Sequence, residues 1–300
     1  MNETSHSAEP DGTCANCGTR LSAQFCPECG QSRDALQRPI YDLAKDTLDG
    51  LFDWDGRFLT TLRQLYTRPG RVARDYADGC RARFTPPVRL YVLVSLVFFS
   101  VMALSGVRLI GLDVGQGSDN SAYVNAAPFQ TGAPPEPVEF TAEQQAQYEE
   151  AMRDGGLDTL MPRMLGRALS EPADVEASVN AAASQVLILM VAILALLNMA
   201  LHPRQPIINH VIYALYGHAA LLPFLALSVI VTAYAPLPTL GSIAWLVIVL
   251  LAAFWGVWAF DRGFYKSSWW GAALRTAIIA PVYSILALLA ALGMIILVSA

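Results

Sequence analysis

The chain has 300 residues, of which 54% are hydrophobic and only 15% are charged, and its formal net charge at pH 7 is −5. This composition excludes an ordinary soluble protein, in which about a quarter of the residues are charged. Long uncharged runs account for the apolar excess, so the sequence predicts a mainly α-helical integral membrane protein.

Four cysteines near the N-terminus form two C-x-x-C pairs with eight residues between them: Cys14, Cys17, Cys26 and Cys29. Zinc favours a closed tetrahedral site of four thiolates, which two such turns can supply. Few large apolar side chains accompany the cysteines, so this short region needs a metal in place of a core. The spacing predicts a structural Zn²⁺ ribbon, and two disulfides or an iron or redox site are the alternatives. A closed site offers no open position for catalysis.

Short amphipathic helices are expected between the ribbon and the first apolar run. Apolar side chains recur at roughly helical spacing from Leu36 to Phe52. Further helices are expected from Phe58 to Tyr66 and from about 69 to 79, and the Arg68-Pro69-Gly70 turn suits the end of one helix and the start of the next.

Charge divides this N-terminal head into an acidic and a basic part. Residues 1–56 carry four basic and ten acidic side chains, whereas residues 57–89 carry eight arginines and two aspartates. The head as a whole is not basic and its arginines are not interleaved with stacking aromatics, so no nucleic-acid partner is expected. The arginines either set the membrane topology or contact anionic lipid headgroups, for which the candidates are Arg81, Arg83 and Arg89.

Five apolar runs are long enough to cross a bilayer, because a span needs about 20 apolar residues. They cover about 88–108, 184–201, 210–234, 240–260 and 276–299. A re-entrant or four-span arrangement is the alternative. Since the first 80 residues hold no continuous apolar stretch, no signal peptide is expected and the first span acts as an uncleaved anchor.

The distribution of Lys and Arg predicts the orientation. The basic connections between spans all fall on one side if the N-terminus is cytoplasmic, which places the C-terminus outside. The outer segment 111–183 then holds three arginines and twelve acidic residues, and it is Pro-rich at 128–137, so a mobile acidic loop is expected there. Thr141 and Gln144 make a capping box that predicts a helix through Met152.

The third span carries several polar side chains, among which His210, Tyr213 and His218 form a candidate intramembrane site. The histidines either bind a metal, haem or a proton, or make hydrogen bonds between helices. Spans two to five, as delimited above, contain no Asp, Glu, Lys or Arg in their interiors, which counts against ion-coupled transport. No HExxH, GxSxG, Walker or GxGxxG motif occurs, so no catalytic residue is assigned and an enzyme is not favoured.

Several short motifs follow one another in a recognisable order. They are FCPECGQ at 25–31, TTLRQLYTRPG at 60–70, DYADG at 75–79, RARF at 81–84, PP at 86–87 and LY at 90–91. Over about residues 14–100 this order resembles the bacterial membrane family catalogued as domain of unknown function 3667. The resemblance implies a bacterial inner-membrane protein with a cytoplasmic zinc-ribbon head, and it supplies no reaction. Cys80 stands where the family often has lysine, so we expect a free thiol or a packed small residue rather than a fifth zinc ligand.

Together these features predict a helical integral membrane protein with about five transmembrane helices and a small N-terminal four-cysteine zinc ribbon. The predicted organisation is a disordered tail 1–13, the ribbon 14–31, amphipathic helices 32–87, a first transmembrane helix 88–110, an extracytoplasmic acidic loop 111–183 and four further transmembrane helices in 184–300.

The predicted role is an adaptor, regulator or assembly factor of the bacterial envelope, which sits in the lipid bilayer and meets an unidentified protein partner through its head. One alternative is a small-molecule permease or channel component with a polar cavity at the third-span side chains. The other is a membrane metalloenzyme that uses His210 and His218, which would require further donors at the same ion.

Overall fold

The computed structural model describes residues 12–33, 56–116, 122–133, 135–154, 160–235 and 238–299. The chain forms two compact units. The first unit contains the described residues of Met1–Val97, Val191–Phe224 and Leu250–Ala280. The second unit contains those of Phe98–Met190, Leu225–Val249 and Pro281–Ala300.

The described part of the chain is mainly helical, with two small antiparallel sheets. In chain order its elements are β1 (Gly12–Thr13), β2 (Arg20–Leu21), α1 (Arg57–Thr67), α2 (Arg71–Ala77), α3 (Pro87–Ser105), β3 (Arg108–Gln116), β4 (Ala122–Gln130), α4 (Ala142–Asp154), α5 (Leu160–Ser170), α6 (Pro172–Leu201), α7 (Ile207–Tyr234), α8 (Thr239–Tyr265) and α9 (Trp269–Ser299). The helices expected at 58–66 and 69–79 are present as α1 and α2. The amphipathic stretch expected at 36–52 lies outside the described residues.

Five helices are long and apolar enough to cross a membrane, as the sequence predicts: α3, α6, α7, α8 and α9. Several limits differ from those predicted. The first membrane helix, α3, ends at Ser105 rather than near 108–110, because strand β3 begins at Arg108, and α6 begins at Pro172 rather than at 184. The apolar segment of α8 continues to Tyr265 and that of α9 begins at Trp269. Asp261 and Arg275, which the predicted limits leave outside the spans, therefore lie within these helices, near the end of α8 and the start of α9. Both helices can continue through a charge because the two side chains pair with each other.

In the second unit, the segment expected as a mobile loop contains a β-hairpin. Strands β3 and β4 pair in antiparallel register from Arg108 opposite Gln130 to Gln116 opposite Ala122. Ile110, Leu112 and Val124 share one face of the hairpin and line an apolar pocket. The Gly, Ser and Asn content of this segment concealed the alternation of apolar and polar residues that a two-sided strand requires.

The first strand of this hairpin is held by side chains of α6. Glu176 pairs with Arg108 at 2.6 Å and accepts the backbone N–H of Leu112 at 3.0 Å. The Asn180 side chain accepts the N–H of Ile110 and donates to its carbonyl oxygen, at 3.3 and 3.1 Å. These side chains pair backbone N–H and C=O groups along the edge of β3, which in the described part of the chain has no neighbouring strand on that side to pair them.

Helix α4 begins where the capping box predicts. The backbone N–H of Thr141 donates to Gln144 Oε1 at 2.9 Å, and the N–H of Gln144 donates to Thr141 Oγ1 at 3.3 Å. This reciprocal pair satisfies two of the donors that the first turn of a helix leaves free, which explains why the helix starts here.

Candidate functional site

The four N-terminal cysteines converge on one point. Their Sγ atoms all lie within 4.8 Å of one another, with Cys14 and Cys29 at 3.6 Å and Cys17 and Cys26 at 3.5 Å. A tetrahedral zinc site with Zn–S bonds of about 2.3 Å places its sulfurs about 3.8 Å apart, so the arrangement fits a metal. All four thiols are free, which does not favour the disulfide alternative.

The two C-x-x-C turns are built in the same way. The N–H of Gly18 donates to the carbonyl oxygen of Cys14 at 2.8 Å, and the N–H of Gly30 donates to that of Cys26 at 2.9 Å. Both glycines have a φ above +70°, a conformation that residues with a Cβ rarely adopt. Each turn therefore bends back so that the two sulfurs of a pair face the same side, which is the geometry that a shared ion requires.

Two cysteines are buried and form the small core of this head. Cys14 and Cys26 pack with Leu21, and all three side chains are 5% exposed or less. Cys17 lies at the surface with its Sγ 3.3 Å from Thr19 Oγ1, and this hydrogen bond lowers the pKa of the Cys17 thiol to about 6. Burial and the neighbouring sulfurs raise the pKa of the Cys26 thiol to about 11, so the two sulfurs of this close pair shift in opposite directions.

One glutamine connects the ribbon to the segment that precedes the first membrane helix. The Gln31 side chain donates to the carbonyl oxygen of Gly79 at 2.8 Å and accepts the backbone N–H groups of Arg81 and Ala82, both at 3.0 Å. An amide has both a donor and an acceptor, so a single side chain can satisfy the whole turn. The ribbon and the 79–82 turn are therefore joined at the residue that follows the last C-x-x-C-G.

Cys80 lies in this same contact and outside the four-sulfur cluster. Its thiol donates to the carbonyl oxygen of Ala15 at 3.0 Å, and burial raises the pKa of the thiol. Cys80 is thus a packed thiol that contacts the first C-x-x-C turn of the ribbon, whereas Gln31 follows the second. This agrees with the expectation that Cys80 is no fifth ligand.

The segment beyond the ribbon packs against the membrane helices within the first unit. Tyr66 donates its hydroxyl to the carbonyl oxygen of Ala220 on α7 at 2.7 Å. In the other direction, Tyr216 on α7 donates to the carbonyl oxygen of Thr85 at 2.6 Å and packs edge-on against Tyr76. These contacts extend the connection from the cysteines through residues 57–85 to the third membrane helix.

The Pro69-Gly70 turn has a second role that the sequence did not reveal. Gly70 has a φ of +73°, and a Cβ at this position would overlap the backbone of Phe260 on α8. A Cβ on Gly263 would in turn overlap the carbonyl oxygen of Pro69. The turn between α1 and α2 therefore needs glycine for its own conformation and also because two backbones meet there.

A buried polar cluster joins the ends of four membrane helices in the first unit. Asp261 on α8 accepts two hydrogen bonds from Arg275 on α9, at 3.3 Å from Nε and 3.0 Å from Nη2. The Nε2 atom of His202, in the connection after α6, lies 3.8 Å from the same carboxylate. The His202 ring stacks on Tyr265 at 3.6 Å, and the Tyr265 hydroxyl lies 2.8 Å from Nδ1 of His210 on α7.

The cluster leaves two buried ring nitrogens without a hydrogen bond. These are His202 Nε2 and His210 Nε2. Burial lowers the pKa of His202, and the nearby Arg275 acts in the same direction, whereas Asp261 opposes both. Buried polar groups normally have partners, so unpaired atoms of this kind mark a place where the protein sacrifices stability.

The third-span side chains predicted as a polar site are all buried, and two of them, His210 and Tyr213, meet at Tyr265. His210 belongs to the cluster described above. Tyr213 packs edge-on against Phe260 and Phe264 and borders the cluster at the Tyr265 ring, 5.3 Å away. His218 has its Nδ1 2.8 Å from the carbonyl oxygen of Ala214 on its own helix. Packed aromatic surroundings at Tyr213 count against a permeation path along these three side chains.

The arginines predicted to meet lipid headgroups lie in different settings. Arg81 stands over the ring of Tyr76 at 5.4 Å, and Arg83 stands over the ring of Phe84 at 5.6 Å. Arg89 is buried, with 7% of its surface exposed. The headgroup contact stays a prediction for all three.

The metalloenzyme alternative lacks its further ligands. Within the ranges described here, the four cysteines are the one group of three or more His, Cys, Asp or Glu side chains that could hold a metal ion. His210 and His218 are therefore without a third donor of these types around a common point.

The α8 and α9 residues of the cluster were missed from the sequence. Asp261 and Arg275 fall just outside the predicted limits 240–260 and 276–299, since a charge usually ends an apolar run. The sequence did contain a signal. An acidic residue ends one apolar run and an arginine begins the next, and two neighbouring membrane helices can bring such charges together as an ion pair.

Comparisons with known proteins support the family resemblance. The model of the family described as "Protein of unknown function (DUF3667)" matches residues 55–99. No curated protein and no solved structure matches the chain. The matched segment runs from the residue before Gly56 through α1, α2 and the first part of α3, so it includes the Pro69-Gly70 turn that meets α8.

Proposed function

We propose that this protein is a membrane-anchored adaptor, regulator or assembly factor whose cysteine head binds a structural zinc ion and recruits a protein partner. The observation that supports this is the bonded connection from the four sulfurs through Gln31 to the 79–82 turn. A closed four-thiolate site supplies folding energy rather than chemistry. Its purpose is then to hold a surface in one shape next to the membrane.

The proposal includes an orientation, with the head and the basic connections in the cytoplasm of a bacterium and the protein in its inner membrane. Eight arginines lie in residues 57–89, Arg204 and Lys266 lie in connections that share a side with them in a five-span chain, and Arg262 lies in the last turn of α8 at the same side. Cytoplasmic connections carry the excess of Lys and Arg in membrane proteins. A reducing compartment also keeps the four thiols available for a metal.

In-cell crosslinking of the full-length protein tests the adaptor role. A photoreactive amino acid replaces Phe25, whose side chain is 56% exposed on the ribbon, and in a second strain Glu28, which is also exposed. We expect a discrete protein adduct that disappears when Cys26→Ser and Cys29→Ser are added. Cys80→Ser is the matched control, since serine keeps a hydroxyl donor for Ala15 and the adduct should persist.

Two outcomes would contradict the proposal. One is the absence of a protein adduct at both positions. The other is the same adduct in the wild-type protein and in the double cysteine variant, because a partner that ignores the loss of the metal site is not held by the ribbon.

A further inference from the structure

We propose that His202 is a proton-binding site, and that proton uptake there weakens the Asp261–Arg275 ion pair that links α8 to α9. This inference goes beyond the adaptor role and does not depend on it. It rests on the positions of three side chains that come from the α6–α7 connection and from two membrane helices.

The hydrogen bond at Nδ1 defines the neutral form of the His202 ring. Nδ1 lies 3.3 Å from the carbonyl oxygen of Asn198. A carbonyl oxygen only accepts, so Nδ1 carries the proton and Nε2 carries the lone pair. Nε2 is buried, has no hydrogen-bond partner and lies 3.8 Å from Asp261 Oδ1. The lone pair on Nε2 and the Asp261 carboxylate therefore repel each other in the neutral ring. A proton on Nε2 would make the ring positive, and the two groups would then attract each other.

The surroundings select a proton over a larger cation or an anion. Nε2 has almost no accessible surface, which leaves no room for a hydrated ion. A metal would need a third donor, and no such set with His202 occurs in the described chain. An anion would meet the Asp261 carboxylate. The nearly parallel Tyr265 ring, 3.6 Å away, also favours an imidazolium, since aromatic faces attract cations.

The Asp261 oxygen that lies near His202 is Oδ1, which makes the longer of the two hydrogen bonds to Arg275. Arg275 Nε lies 3.3 Å from Oδ1, and Nη2 lies 3.0 Å from Oδ2. A proton on Nε2 creates a donor directed at Oδ1, which competes with Arg275 Nε for that oxygen. Proton uptake therefore changes the Asp261–Arg275 contact from two hydrogen bonds towards one.

The titratable and charged groups around the ring come from three helices. They are Asp261 and Tyr265 on α8, His210 and Tyr213 on α7, and Arg275 on α9. Burial and Arg275 lower the pKa of His202 from its ordinary value of about 6.5, so the ring is neutral at pH 7. The folded protein then binds fewer protons than the unfolded chain below about pH 6.5, and acid destabilises the cluster.

Nitrogen NMR of histidine-labelled full-length protein in lipid nanodiscs tests this inference. His202→Gln assigns the signal. In the wild type we expect the Nδ1–H tautomer at neutral pH and protonation of Nε2 below about pH 6.5. Asp261→Asn should move the titration midpoint about one pH unit lower, because it removes the attracting charge, and Arg275→Gln should move it higher.

The tautomer is measured on the wild-type protein and only its assignment uses His202→Gln, so it decides the matter even if Asp261→Asn or Arg275→Gln fails to fold. An Nε2–H tautomer at neutral pH would overturn the proposal, because no lone pair would then face Asp261. A midpoint that does not respond to Asp261→Asn or Arg275→Gln in folded variants would also overturn it.

Discussion

The cysteine head and the buried polar cluster both gather polar side chains at one point, and they do so in opposite ways. The head takes its four sulfurs from sixteen consecutive residues, Cys14 to Cys29, and its shape is set by two short turns. The cluster takes its side chains from α7, α8, α9 and the connection between α6 and α7, so it exists only when these helices are packed. The head should therefore depend on its metal, and the cluster should depend on the membrane fold.

Metal removal should have the largest effect, and it should be confined to the head. Structural zinc contributes about 10–16 kcal/mol of folding free energy in small fingers, far more than this short region can gain from burial. Hydrogen exchange by mass spectrometry should show rapid exchange over 12–33 after chelation, with exchange at 198–215 unchanged. Protection lost equally in both regions would show that the head and the cluster do not fold independently of each other.

Breaking the ion pair should have the next largest effect and should spare the head. Asp261→Ala leaves Arg275 as an uncompensated buried charge, which costs about 3–5 kcal/mol. We expect a large fall in Tm in detergent with the metal content unchanged. Asp261→Leu with Arg275→Met is the control, since an apolar pair of similar size should recover much of the loss.

Gly70→Ala should cost about 2–4 kcal/mol, because it combines a left-handed backbone with an overlap against Phe260. Gly30→Ala is a matched control, since Gly30 has φ +72° but a Cβ there would meet nothing within 4 Å. Thermal unfolding should show Gly70→Ala as clearly the less stable of the two. Equal losses would mean that the contact with α8 is loose.

Gln31→Ala should have the smallest effect, of about 1–2 kcal/mol, since it removes three hydrogen bonds that water can partly replace. The ribbon should keep its metal, while amide exchange at Arg81 and Ala82 rises. Unchanged exchange at these two amides would contradict the connection from the head to the membrane helices.

The parts of the fold that the sequence revealed are those set by local chemistry. The cysteine spacing, the Thr141–Gln144 capping box and the five apolar helices each depend on residues close in sequence. The β3–β4 hairpin was missed because its strands are rich in glycine and small residues. The cluster was missed because the sequence pattern of a charge at the end of an apolar run is the same whether the side chain contacts water or pairs with a residue of another helix.

The most direct test of the central claim is the metal content of the full-length purified protein, measured by elemental mass spectrometry beside the Cys26→Ser, Cys29→Ser variant and the Cys80→Ser control. The account predicts one zinc per chain in the wild type and in Cys80→Ser, and none in the double variant. Iron in place of zinc, or no metal together with oxidised cysteines, would contradict the structural zinc site and with it the role proposed for the head.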